Sequence, residues 1–289
     1  MPVDVVTSVS HLLSPQVRKS IQTFVAEDIG RGDRTTEAVV SPPARGRAHI
    51  EARADFVVAG LPLLVLVFEE AGGGVDVAFF TNDGDRVHSG QILARLDGSL
   101  RTILTGERVA LNLLGRLSGV ATTTARFVNA VSGTPAVVTD TRKTTPGLRM
   151  LEKYAVHIGG AKNHRFGLDD GILIKDNHIA AAGSISEAVA RARAGAPHGL
   201  LVEVEVVDEA GLDEALAAGA DAVLLDNMDE EQVASCVARA GGKVLLEASG
   251  GIVLDNVRRY AETGVDLISC GAMTHSATAA DVALEVEKG

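Results

Sequence analysis

Between Arg142 and His178 the chain gathers seven cations (Arg142, Lys143, Arg149, Lys153, Lys162, Arg165, Lys175) against four acids (Glu152, Asp169, Asp170, Asp176), a net +3 in a protein whose total is −11. Three histidines, His157, His164 and His178, fall in the same stretch. A local cationic excess in a chain that repels anions overall focuses a field on a small polyanion. These residues stand beside glycines, asparagines and apolar runs rather than at the spacing of a solvated helix face. Further on, Glu205 and Asp226 come from successive strand-like runs and form an oxygen-only pair suited to Mg2+ shared with substrate phosphates, or to sugar hydroxyls. Two later loops, Ser249-Gly250-Gly251 and Gly271 to Ser276 with His275, offer backbone N–H groups and hydroxyls to a phosphate.

These side chains need a scaffold, and the pattern from residue 136 onward supplies one. Short β-branched runs at 136–141, 171–175, 200–206, 222–226, 243–247 and 267–270 alternate with Ala-rich helical stretches. That alternation predicts βα units and a parallel sheet. Six strands fall short of a closed eight-stranded barrel, so an open or partial α/β barrel is expected. Arg142 and Lys143, Lys175, Glu203 and Glu205, Asp226 and Glu247 all stand at or near the C-terminal ends of these strands, where βα loops carry active sites. No glycine-rich dinucleotide loop follows the first strand, which speaks against a doubly wound nucleotide fold.

The preceding residues read differently. Strands are expected at 47–52, 75–80 and 91–96, a buried helix at 57–68, and a turn-rich hairpin at 82–90. A helix at 104–131 carries Gly115 and Gly119 as a potential break. The domains are expected at 1–115 and 116–277.

Composition narrows the function classes. At 289 residues with 46% apolar content, the chain has ample material for a folded core. A sequence pI near 5.2 and only 3% aromatic residues exclude a general nucleic-acid binder. The longest apolar run, 56–68, contains Gly60 and Pro62 and is too short to span a bilayer, so no membrane segment and no secretory leader are expected. Cys236 and Cys270 give no disulfide framework, which predicts a reducing cytoplasm. No histidine pair has the spacing of a zinc site.

Several blocks in fixed order now carry a resemblance: EDIGRGD at 27–33, ERVALNLLGRLSG at 107–119, DTRKTTPGLR at 140–149, NHRFGL at 163–168, IKDNH at 174–178, LLDN at 224–227 and SGGI at 249–252. Over nearly its whole length the sequence resembles the quinolinate phosphoribosyltransferase family. That resemblance implies an N-terminal α/β sandwich, an open α/β barrel and a C-terminal helix at 278–289 packing back toward the first domain. It implies transfer of a phosphoribosyl group from phosphoribosyl pyrophosphate to quinolinate with Mg2+, releasing nicotinate mononucleotide, pyrophosphate and CO2 in NAD biosynthesis.

By the same resemblance Arg108, Arg142, His164, Arg165 and Lys175 bind the two carboxylates of quinolinate, Arg108 being lent by the partner of a homodimer. Lys143, Glu205 and Asp226 engage the phosphoribosyl donor or its metal, and Ser249, Gly250, Gly271 and His275 cradle the 5′-phosphate. Lys143, Lys175, Glu205 and Asp226 are the expected catalytic set. Two positions depart from the family pattern: Ala161-Lys162 stands where a third glycine is expected, and His157 where Arg is frequent. The alternatives are a related phosphoribosyltransferase with another acceptor and a non-catalytic phosphate-ligand-binding barrel.

Overall fold

The computed structural model describes residue 12 and residues 14–287, which fall into two units. The first takes residues up to 125, 145–160 and those from 277 on. Its N-terminal part runs through helices α1 (Pro15–Ile29) and α2 (Arg34–Val39), strands β1 (Arg45–Ala52) and β2 (Phe56–Val57), helix α3 (Leu61–Glu70), and strands β3 (Val75–Phe79), β4 (Arg86–Val87) and β5 (Ile92–Ser99). The long helix α4 (Leu100–Ala130) follows. Ala48, Ile50 and Ala52 alternate inward from β1, as a half-buried strand requires. Asp83 accepts from the backbone N–H groups of Gly60 and Leu61 at the start of α3, and from the Tyr154 hydroxyl at 2.6 Å. Burial of this acid pushes its pKa up, against those three hydrogen bonds.

Two expectations are corrected here. Helix α4 runs unbroken through Gly115 and Gly119, whose missing side chains serve a close approach. A Cβ at 115 would lie 2.8 Å from the Ala280 carbonyl oxygen, and one at 119 only 2.0 Å from that of Thr278. The helix reaches past the end of the first stretch of the first unit at 125. The C-terminal residues form a strand, not a helix: the last strand, Val282–Val286, adds to the edge of β1, pairing Ala48 with Val286 and Ala52 with Val282. The edge of β1 offers unpaired backbone N–H and C=O groups, and the Val-Ala-Leu-Glu-Val run takes them up as a strand. The resulting antiparallel sheet has this strand beside β1, then β5, then β3.

The second unit holds 126–144 and 161–276. Its strands are β6 (Val137–Thr139), β7 (Ile172–Ile174), β8 (Val202–Val206), β9 (Ala222–Asp226), β10 (Leu245–Ser249) and β11 (Leu267–Ser269). They form one parallel sheet in the order β6-β11-β10-β9-β8-β7. Every predicted strand of this half is present, and the sheet is not closed between β6 and β7 among the described residues.

On β8, Val202, Val204 and Val206 take one face while Glu203 and Glu205 take the other. The helices that cross back begin at side-chain caps: Ser184 accepts from the N–H of Glu187, Asp208 from that of Gly211, and Asp229 from that of Gln232. Lys162 pairs with Thr139 as a bridge extending the sheet, and Ala161 before it is buried. Cys236 and Cys270 are both buried and free. No helix among the described residues is long and apolar enough to cross a membrane.

Candidate active site

A parallel sheet presents its strand ends on one side, and here those ends enclose a cavity of about 410 Å³. Thr141, Arg142 and Lys143 enter from the end of β6, Leu173 and Lys175 from β7, Glu205 from β8, Leu224, Asp226 and Asn227 from β9. Glu247, Ser249, Gly250 and Gly251 come from β10, Ser269 from β11, and His164 and Arg165 from the segment after Lys162. The cationic run therefore separates. Arg142, Lys143, Arg165 and Lys175 face one cavity, whereas Arg149 and Lys153 belong to helix α5 (Arg149–Ile158) of the first unit. His178 is structural, its Nδ1 accepting the Lys175 N–H.

Each cation is held differently. Arg165 donates from Nη1 to the Gly171 carbonyl at 2.9 Å. Burial first, and then the neighbouring Arg142 guanidinium, lower its pKa against the pull of Glu203 and Asp170. The Nε of Arg142 is buried with no hydrogen-bond partner. Two close guanidiniums with an unused donor describe a hole for an anion, and Arg fits carboxylate in a bidentate way. Lys175 pairs with Glu205 across the ends of β7 and β8.

The loop after β10 is built for close backbone approach. Gly250 has φ +97°, and a Cβ there would stand 2.2 Å from Asn227 Oδ1 and 2.8 Å from Asn227 N. Asn227 itself has φ +56° and donates its N–H to the Ser249 carbonyl at 2.8 Å. Its side-chain amide donates to Asp226 at 2.7 Å. Gly271 is equally confined, its would-be Cβ meeting the Lys143 stem and the His275 ring at 3.1 Å. Gly271 and His275 thus stand beside Lys143, although neither lines the cavity.

The segment carrying His164 hangs on the buried Asp140, which accepts from the His164 N–H and the Asn163 amide, both at 2.8 Å. Both ring nitrogens of His164 have protein partners. Nδ1 accepts the Arg165 N–H at 2.7 Å, and Nε2 faces Glu203 at 3.2 Å and Glu247 at 3.7 Å. Family resemblance makes His164 a donor to substrate, but in this arrangement its Nε2 is already directed at carboxylates.

Arg108 is on α4 in the first unit, its side chain largely exposed and 3.9 Å from Glu107, and it is not among the cavity residues. Glu203, Glu247, Ser269 and Asn227 were not in the expected binding set. The two acids were visible only as residues at or near the C-terminal ends of their strands.

His164, Glu203 and Glu247 bring three ligand atoms within 4.8 Å of one another, the spacing a metal ion needs. The hydrogen-bond pattern argues against one. Because Nδ1 accepts from a backbone N–H, the ring hydrogen is assigned to Nε2, the nitrogen a metal would need. Glu205 and Asp226, at the ends of neighbouring strands, offer carboxylate oxygens to the same cavity.

The comparisons with known proteins agree with this architecture. The family model described as the quinolinate phosphoribosyl transferase N-terminal domain matches residues 33–118, and that for the C-terminal domain matches 120–285. A probable nicotinate-nucleotide pyrophosphorylase [carboxylating] of Bacillus subtilis (strain 168) is 44% identical over 271 residues, covering 94% of this chain and 93% of its own. A mitochondrial quinolinate phosphoribosyltransferase [decarboxylating] 2a of Nicotiana tabacum is 37% identical over 286 residues, covering 92% and 81%. The crystal structure of NadC from Streptococcus pyogenes superposes with a TM-score of 0.91 at 41% identity, covering 96% of this chain and 99% of that one. With both family models matched in order along almost the whole sequence, the chain belongs to the quinolinate phosphoribosyl transferase family.

Proposed function

We propose that this protein transfers the phosphoribosyl group of phosphoribosyl pyrophosphate to the ring nitrogen of quinolinate and releases the 2-carboxylate as CO2, leaving nicotinate mononucleotide and pyrophosphate. The observation that carries the reading is the division of charge within one cavity: Arg142, Lys143, Arg165 and Lys175 against Glu205 and Asp226, with a glycine loop at the rim. Quinolinate brings two carboxylates, and the Arg142/Arg165 pair with its unused donor offers charge-assisted hydrogen bonds to them. Ser249 and Gly250 supply close backbone for the 5′-phosphate, with Gly271 and His275 flanking Lys143.

As pyrophosphate leaves, the ribosyl carbon gains positive charge, which the carboxylates of Glu205 and Asp226 stabilise. Asp226, with Glu205, would hold Mg2+, whose contribution is to neutralise the departing pyrophosphate. Lys143 is placed to bind the same departing anion. Once the ring nitrogen is quaternised, its positive charge stabilises the electron pair that CO2 leaves on C2, and a proton from solvent then adds to that carbon, so no cofactor is needed for that step.

Arg108 has no place in the cavity, and we assign it to the partner's site in a homodimer. Buried free cysteines support a reducing compartment, and we read the site of action as the cytoplasm. The test is direct: purified protein with quinolinate, phosphoribosyl pyrophosphate and Mg2+ should yield nicotinate mononucleotide and CO2 in equal amounts. Nicotinate should be a far poorer acceptor, and Arg165→Ala should lose about 2 kcal/mol or more of quinolinate binding. Equal turnover of both acceptors would overturn the reading.

A further inference from the structure

Among the groups at the cavity, two carboxylates share one imidazole donor. The single Nε2–H of His164 faces two carboxylate oxygens, Glu203 Oε2 at 3.2 Å and Glu247 Oε2 at 3.7 Å. The ring cannot offer a second hydrogen on Nδ1, because that nitrogen accepts the Arg165 N–H. Glu247 is 2% exposed, and its other oxygen, Oε1, is buried without a partner. The Ser269 hydroxyl stands beside the carboxyl near enough to favour its ionised form, yet outside hydrogen-bond geometry.

The groups facing Glu247 come from every neighbouring element: Glu203 from β8, Asp140 and His164 from the chain after β6, and Ser269 and the buried Cys270 from β11. The intervening strand β9 contributes Leu224, which carries no charge. Arg142, Lys143, Arg165 and Lys175 line the same cavity. Burial first, then the charge of Glu203, raise the Glu247 carboxyl from 4.5 to about 7.

We propose that Glu247 works as an uncharged acid, and that the dicarboxylate acceptor binds only when this residue holds its proton. The inference rests on quinolinate being the acceptor. A charged Glu247 would oppose the two carboxylates that the cavity cations attract. As an acid it removes that repulsion and has a hydrogen to donate to Glu203 or to the ligand. Glu247 is thus a specificity-determining residue, tuning the cavity for a dianion by staying neutral. Acceptor binding above neutral pH then takes one proton from solvent.

The experiment is titration calorimetry of wild-type protein with quinolinate at about pH 8, in buffers of different ionisation enthalpy. Uptake approaching one proton per site is expected, falling toward zero at about pH 6. Heat independent of buffer at pH 8 would overturn the proposal. Glu247→Gln should bind without proton uptake, and its acceptor KM should stay nearly flat over the range where wild-type KM rises up to about tenfold per pH unit. Equal uptake, or the same rise, in Glu247→Gln would assign the proton elsewhere and equally overturn it. Should that variant fail to fold, the wild-type calorimetry still decides. Failure of quinolinate to bind at all would instead strike the proposed function.

Discussion

Lys175 and Glu205 form an ion pair across the ends of adjacent parallel strands, the lysine side chain half open to solvent and the carboxylate nearly enclosed. In the proposed reaction the two have different customers, the lysine the acceptor and the glutamate the donor. Glu205→Gln should therefore move two quantities in opposite directions. Turnover should fall by about a hundredfold through loss of charge at the ribosyl centre. Quinolinate affinity, measured calorimetrically without the donor, should rise by about 1 kcal/mol, roughly fivefold, as Lys175 is released. A parallel loss of both would place Glu205 among the acceptor-binding groups.

The Glu247 acid also makes stability depend on pH. A carboxyl raised from 4.5 to about 7 in the folded protein binds its proton more tightly there than in the unfolded chain. Its contribution is fully present below pH 4.5 and is lost as pH climbs through about 7, an effect of roughly 3 kcal/mol. Chemical denaturation of wild type and Glu247→Gln across this window should show the difference shifting toward the variant by that order. A constant difference would mean that Glu247 ionises normally.

Gly250 tests the loop. With φ +97° and no room against Asn227, Gly250→Ala should lose about 1–3 kcal/mol of stability and raise the KM for phosphoribosyl pyrophosphate more than that for quinolinate. Gly251→Ala has open space around its Cβ and meets only the penalty of φ +61°, so it should be milder in both measurements.

The dimeric site is tested by complementation. Arg108→Ala and Lys143→Ala proteins should each be nearly inactive. A verified heterodimer of the two should regain about half the wild-type rate, since one site collects both lesions and the other neither. No recovery on mixing would place Arg108 within its own chain.

The parallel sheet was legible because its strands are short β-branched runs separated by Ala-rich helices, and each run predicted is found. The cavity cations were legible because local charge departs so far from the total. Three things were not. Gly115 and Gly119 read as helix breakers, since their reason lies in a backbone that approaches from more than 150 residues away. The helix at 278–289 was what the family resemblance implied, and the strand at 282–286 depends on the distant open edge of β1. Glu203 and Glu247 looked like any strand-end acids, because the meeting of two carboxylates at one imidazole depends on strands two places apart in the sheet. Spacing along a chain cannot report that distance.

The pairing of β1 with the strand at 282–286 also sets an order of assembly during synthesis. Arg53 and Glu285, linked at 2.6 Å, are 232 residues apart. At about 5–20 residues per second, a ribosome leaves the edge of β1 without its partner for roughly ten to fifty seconds. The parallel sheet, whose strands all lie between 137 and 269, leaves the ribosome before that partner does. The half of the protein made first is therefore the half whose sheet is finished last, and a nascent chain arrested before residue 282 would expose a bare β edge to whatever chaperone or neighbouring chain reaches it.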